Sequence, residues 1–336
     1  MKLLPFLLLL LTPAFAQWQT LPVNTTANFR AISAANNRVV WIGGSRGTFL
    51  RSTDGGDTWQ TGTVARAEGC DFRDVQAIDA QTAVLMSAGP AEQGQARIYR
   101  TTNGGKSWRL SYQSNQSGVF FDGLSFWNSR QGIAFSDPVD GRYVLIRTED
   151  GGKTWQPIPA SQSPATHPGE AAFAASGSSI ITQGQQNVWI GSGGVGGGRV
   201  FRSTDGGRSW AVSETGLPAD SSSGVYGLHF FTPKDGIAVG GDHKNSIKPG
   251  PNVALTRDGG KTWVLMQPAT PAGLKEAAWR LPNGHWLLVG PSGTSLSDDR
   301  GKTWQLLDQE AFDALVCVGS TCWAVGAKGR VARRTF

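Results

Sequence analysis

Six near-copies of one octapeptide run along this chain. They are STDGGDTW (Ser52 to Trp59), TTNGGKSW (Thr101 to Trp108), TEDGGKTW (Thr148 to Trp155), STDGGRSW (Ser203 to Trp210), TRDGGKTW (Thr256 to Trp263) and SDDRGKTW (Ser297 to Trp304). Their tryptophans fall 49, 47, 55, 53 and 41 residues apart. A unit of that length cannot bury an apolar face alone, so successive units must stack. The period matches one four-stranded blade of a β-propeller, and the predicted fold class is all-β.

The chemistry of the octapeptide is that of a turn. Asp54, Asn103, Asp150, Asp205, Asp258 and Asp299 each precede a glycine-containing pair. An Asx side chain can bond nearby backbone N–H groups, and glycine reaches positive φ without steric cost. In the sixth copy Arg300 takes the first glycine position, whereas the second glycine survives in all six. The second is therefore expected to be the left-handed residue. Each closing tryptophan (Trp59, Trp108, Trp155, Trp210, Trp263, Trp304) can pack between repeats. Such a ring removes roughly 150–250 Å² from water, or about 4–6 kcal/mol gross. A motif present in every repeat reads as a structural staple, not as six active sites.

The octapeptides resemble the Asp-box (bacterial neuraminidase repeat) pattern S-x-D-x-G-x-T-W of the sialidase-like superfamily. Gly47 to Trp59, Arg97 to Trp108 and Gly198 to Trp210 carry a longer unit. In that unit the chain is most similar in style to the bacterial propellers related to the photosystem II stability and assembly factor. The resemblance implies the fold strongly. It implies activity weakly, because sialidases, other glycosidases, sorting receptors and assembly factors share the box.

An upstream half accompanies each box. Phe29-Arg30-Ala31-Ile32, Phe72-Arg73-Asp74-Val75, Phe121-Asp122-Gly123-Leu124, Glu170-Ala171-Ala172-Phe173, Tyr226-Gly227-Leu228, Glu276-Ala277-Ala278-Trp279 and Phe312-Asp313-Ala314-Leu315 read as seven inner-strand starts. The last unit, through Cys322 to Gly326, has no box, while Trp18-Gln19-Thr20 repeats the text of Trp59-Gln60-Thr61. The N-terminal strand is thus predicted to close a seventh blade and leave no free edge. At about 46 residues per blade, one seven-bladed domain fills residues 17–336.

Met1-Lys2, an apolar run from Leu3 to Leu11 and Ala14-Phe15-Ala16 read as a secretory signal cut after Ala16. The run is short for a membrane anchor, which needs ~20 residues. The expectation is a secreted or periplasmic monomer with no membrane span once the signal is removed. Export permits disulfides, and Cys317 and Cys322 flank a hairpin turn that would set them opposite each other. Cys70 is left over as a buried thiol. The formal charge of +6 is spread along the chain without a basic cluster interleaved with aromatics, which argues against nucleic acid. His167, His229, His243 and His285 lack ligand spacing, so neither a metal nor another cofactor is expected. The Gly-rich run Gly191 to Gly198 precedes a strand and reads as a flexible loop, not a phosphate cradle.

The boxes are turns between strands three and four. The longer segments, including Ala88–Ala96, Gly191–Arg199, Gly241–Asn252, Pro157–Gly169 and Ser213–Gly224, fall on the opposite face, over blades two to five. Loops of that kind carry function; plain length drift in exposed turns is the alternative. The inner-strand starts place Arg30, Arg73, Asp122, Glu170, Tyr226, Glu276 and Asp313 at that mouth, either as a ligand-contacting ring or as a self-neutralising collar. Two functions follow. Likeness to the assembly factors implies an exported non-catalytic scaffold holding a protein segment or glycan. Likeness to sialidases implies a glycoside hydrolase, sialidase-like or another that works through a carboxylate pair, with Glu170, Tyr226 and Asp122 as its catalytic groups. Against the second, Ala31-Ile32 stand where the sialidase motif has Ile-Pro.

Overall fold

The computed structural model describes residues 17–336. The expected signal, residues 1–16, lies outside them. Seven antiparallel sheets follow one another around an axis. Blade one comprises Phe29–Ala34, Val40–Gly44, Thr48–Ser52 and Gln60–Thr63. Blade two begins at Asp71–Ala77, blade three at Phe121–Phe126, blade four at Ile180–Gln183 and blade five at Ser223–Phe230. Blades six and seven begin at Ala277–Arg280 and Ala314–Val318. Blade seven takes its outer strand from the chain start: Gln19–Thr20 pairs with Val331–Thr335, Gln19 opposite Arg333. That closure covers the outer side of Val331–Thr335 and ties the chain start to the last blade. Trp18 completes the staple, donating from Nε1 to Thr294 Oγ1 of blade six at 3.0 Å. Among the described residues no helix is long and apolar enough to cross a membrane.

All six boxes are three-to-four turns, each a small cage of hydrogen bonds. In the third, the Thr148 hydroxyl donates to Asp150 at 2.9 Å and accepts from Gly152 N–H at 2.9 Å. The Thr154 amide and hydroxyl donate to the two carboxylate oxygens at 2.9 and 2.7 Å. The same bonds, led by the Thr303 hydroxyl, hold the Asp299 carboxyl down to about 2. Trp108 packs edge-on against Trp41 and Phe49 of blade one, at 5.8 and 5.2 Å between centroids, so the ring joins two blades as expected.

The glycines correct one expectation. Both are left-handed: Gly104 and Gly105 have φ of 72° and 81°. What makes the second glycine invariant is close approach, because a Cβ on Gly105 would lie 2.5 Å from Phe49, and one on Gly152 2.7 Å from Val84. At the second and fourth boxes the first glycine lies under an arginine of the preceding blade, Gly104 beneath Arg51 and Gly206 beneath Arg147. Before the sixth box that arginine position is Leu255, so Arg300, at φ 68°, has room for a side chain.

Cys317 and Cys322 are register partners in the last hairpin and form a disulfide; Cys70 is buried and free. Replacing both bridge cysteines with serine is expected to lower stability by about 2 kcal/mol through lost loop closure. Urea unfolding of the double variant, with the wild type measured oxidised, checks this. An unchanged midpoint would show that the bridge does not support the closing blade.

Blade five departs from four strands. Its sheet is extended by Gly193–Gly194 and Glu170–Ala171, giving six. The Gly191 to Gly198 run is therefore no free loop: Gly193 pairs with both Ala171 and Gly224, and only glycine permits backbones to approach so closely.

Candidate functional site

Four of the seven inner strands enter the sheet through an irregularity that turns one residue toward the axis. The register shifts between Phe29 and Ala31, Phe72 and Asp74, Phe121 and Gly123, and Val225 and Gly227. Arg30, Arg73, Asp122 and Tyr226 occupy those bulges, where bulges commonly re-aim a side chain. Together with Glu276 and Asp313 they line a cavity of about 570 Å³ on the face opposite the boxes. Six of the seven residues expected at the mouth are thus brought together.

Glu170 is not among them. Blade four's inner strand starts ten residues later, and Ile180 faces Ile190 as Ile32 faces Ile42. The position equivalent to Arg30 is therefore Ser178. Glu170 instead lies inside the extended sheet, its side chain fully buried against Arg199. Arg199 Nε donates to Oε1 at 3.1 Å, a second guanidinium nitrogen donates to Oε2, and the His167 amide adds 2.9 Å to Oε2. This bidentate pair holds Glu170 outside the cavity lining.

The displaced stretch Ala172 to Ser178 crosses the axis instead. Arg73 Nη1 donates to Ala174 O at 3.1 Å, and the Ser176 hydroxyl to Glu276 O at 2.9 Å. Gly177 packs on the buried Asp74 carboxyl. The funnel therefore has a floor. Phe173 and His243, which the sequence reading missed, form its wall: Phe173 stacks on Tyr226 at 4.4 Å, and Tyr226 Oη lies 2.8 Å from His243 Nδ1 and donates to Ser222 O at 2.7 Å. Neither residue has a repeat equivalent, so no alignment of blades could have found them.

Acid outweighs base in this cavity. Arg30 reaches Glu276 at 3.4 Å, and Arg73 Nε is paired with Asp71 at 2.8 Å. Burial, then the neighbouring Asp313, pushes Glu276 up to about 8. Burial also raises Asp313, against the pull of Arg30, and raises Asp137 and Asp122. Burial and Glu276 push the Tyr226 phenol upward as well. Among the described residues no group of three or more His, Cys, Asp or Glu is placed to hold a metal ion. The arrangement suits recognition by charge and hydrogen bonding. A Tyr–Glu nucleophile pair is not formed, because Tyr226 is tied to His243 and Ser222 and Glu170 to Arg199.

Fold and site together define an Asp-box β-propeller with a floored, charge-lined funnel on the face away from its boxes. Residues 11–109, a stretch ending just past the second box, match the family described as "Photosynthesis system II assembly factor YCF48". The chain is 28% identical over 222 residues to photosystem II stability/assembly factor HCF136 of Oryza sativa subsp. japonica, covering 61% of this chain and 48% of that protein. The Arabidopsis thaliana counterpart is 24% identical over 261 residues, covering 70% and 59%. The chain spans about half the length of the curated relatives it matches. A solved structure described as "YCF48 bound to D1 peptide" superposes with a TM-score of 0.69 at 18% identity, covering 96% of this chain and 98% of that one. At that identity the likeness concerns the fold.

Proposed function

We propose that this protein is an exported, non-catalytic assembly scaffold that holds a segment of a partner protein on its funnel face. The observation that carries this reading is the content of the cavity. Two arginines, four carboxyls and an aromatic wall line it, while Glu170, the expected partner of Tyr226 in a sialidase-like site, is sealed against Arg199. The similarity to photosystem II assembly factors, one of whose solved relatives is described as bound to a D1 peptide, supports a peptide as the ligand.

The test is capture from exported fractions. In Arg30→Glu with Arg73→Glu, the Arg73–Asp71 pair is partly exposed on both sides and worth little to stability. Glu276, by contrast, loses its partner in a buried site, so folding is measured beside binding. As central anchors the two arginines are expected to cost about thirtyfold or more in partner binding. Cross-linking and mass spectrometry of captured proteins, with circular dichroism to confirm folding, reads both. Undiminished capture by the folded double variant sinks the proposal. Turnover of an aryl glycoside panel would replace it with the hydrolase, and recovery of the protein only from the cytoplasm would remove the export.

A further inference from the structure

Asp122 is the least explained group in the funnel. Its side chain is about as buried as a core residue, at 1% exposed, and its Oδ2 has no hydrogen-bond partner. Asp137 lines the same part of the cavity and accepts one bond, from the Ala172 amide at 2.9 Å. Among the described residues no ion pair reaches either carboxyl. Arg73, whose charge acts on Asp122, is held by Asp71 and Ala174 O, and Arg30 is held by Glu276. A buried carboxylate oxygen left without a donor is costly, and packing alone does not account for Oδ2.

We propose that the floor of the funnel receives an organic cation, the guanidinium or ammonium end of a basic side chain, gripped by Asp122 and Asp137. The proposal rests on the reading of the funnel as the capture site and specifies which side chain of the partner segment enters it. Both acids stand on blade three, Asp122 on the inner strand and Asp137 in the strand beside it. Two carboxylates from neighbouring strands can share the donors of a guanidinium, or two of the three of an ammonium. The cavity volume of about 570 Å³ is ample for a side chain. The charged and titratable groups facing Asp122 are Asp137, Arg73 and Tyr143. Burial, then Asp137, raises Asp122, so a bound cation favours loss of its proton, and binding tightens as pH rises.

Isothermal titration with Nα-acetyl-arginine amide and Nα-acetyl-lysine amide, in two buffers of different ionisation enthalpy, tests this. Saturable binding with proton release is expected, weakened about tenfold or more in Asp122→Asn. Asn is isosteric, and Asp137→Asn serves as a second variant should the first melt early. Equal binding of Nα-acetyl-glutamine amide, or wild-type affinity in both folded variants, overturns the site. Partner capture that depends on Arg30 and Arg73 but is not competed by either cation sinks this inference and leaves the scaffold standing. Cation binding without any partner capture does the reverse.

Discussion

Glu170→Ala unfolds far more easily than the wild type, by about 3–5 kcal/mol, because it strands the Arg199 guanidinium in a buried site. Arg199 has a relative exposure of 7% at its side chain and Glu170 of 0%, so water cannot replace the lost partner. The guanidinium also lies 5.0 Å above the Phe201 ring, which fixes it in place and prevents escape to solvent. Glu170→Gln, which keeps an acceptor, should lose less. Chemical denaturation of both variants checks the order. A glycosidase reading makes the opposite prediction for this residue, full stability with lost turnover. A folded, wild-type-stable Glu170→Ala would return Glu170 to the list of chemical groups and undo its assignment as a structural ion pair.

Lys275→Met is expected to stabilise the protein by about 2–3 kcal/mol. Lys275 is fully buried, and its Nζ has no partner. It occupies the inner-strand position that Phe29, Phe72, Phe121 and Phe312 fill in other blades, all of them essentially unexposed. Burial pushes its amine from 10.5 down to about 8, which corresponds to about 3 kcal/mol in favour of the neutral form. At pH 7 the native state carries that penalty in full. Between pH 8 and 10.5 the unfolded chain holds a proton that the native amine has released, so wild-type stability rises with pH across that window. Glu276 works in the other sense. Its raised value means that the native state holds the extra proton between 4.5 and about 8, and stability falls as pH climbs through that range. Subtracting the Lys275→Met profile from the wild type isolates the lysine. Parallel curves from pH 7 to 10.5 would show that Nζ is not the buried ammonium described here.

How far the chain could be read without its structure is clearest at two stretches with nearly the same text. Glu170-Ala171-Ala172-Phe173 and Glu276-Ala277-Ala278-Trp279 look interchangeable, and both were expected to open inner strands. Only the second does, at Ala277–Arg280, with Glu276 turned into the funnel. The first becomes the edge of another blade's sheet. Local pattern could not separate them, because the difference lies in distant partners. Ile180 matches the strand Asn187–Gly191, and Arg199 claims Glu170. Phe173 and His243 escaped for a related reason: they come from connections that belong to no repeat.

The sequence by itself determined the architecture: the repeat length, the six turns, the box-free seventh blade and the N-terminal strand that closes it. Those features are local or periodic, and the Asp or Asn, Ser or Thr and glycine groups of each box bond one another within eight residues. The tertiary structure alone decided which charges face the axis and which are spent. Arg30 meets Glu276 from a blade two places away, Arg73 is occupied by Asp71 and a plug segment, and Asp122 Oδ2 is left without a donor. Such pairings depend on distances across the ring that no spacing along the chain encodes, and in a buried, low-dielectric funnel they set which groups remain free to bind.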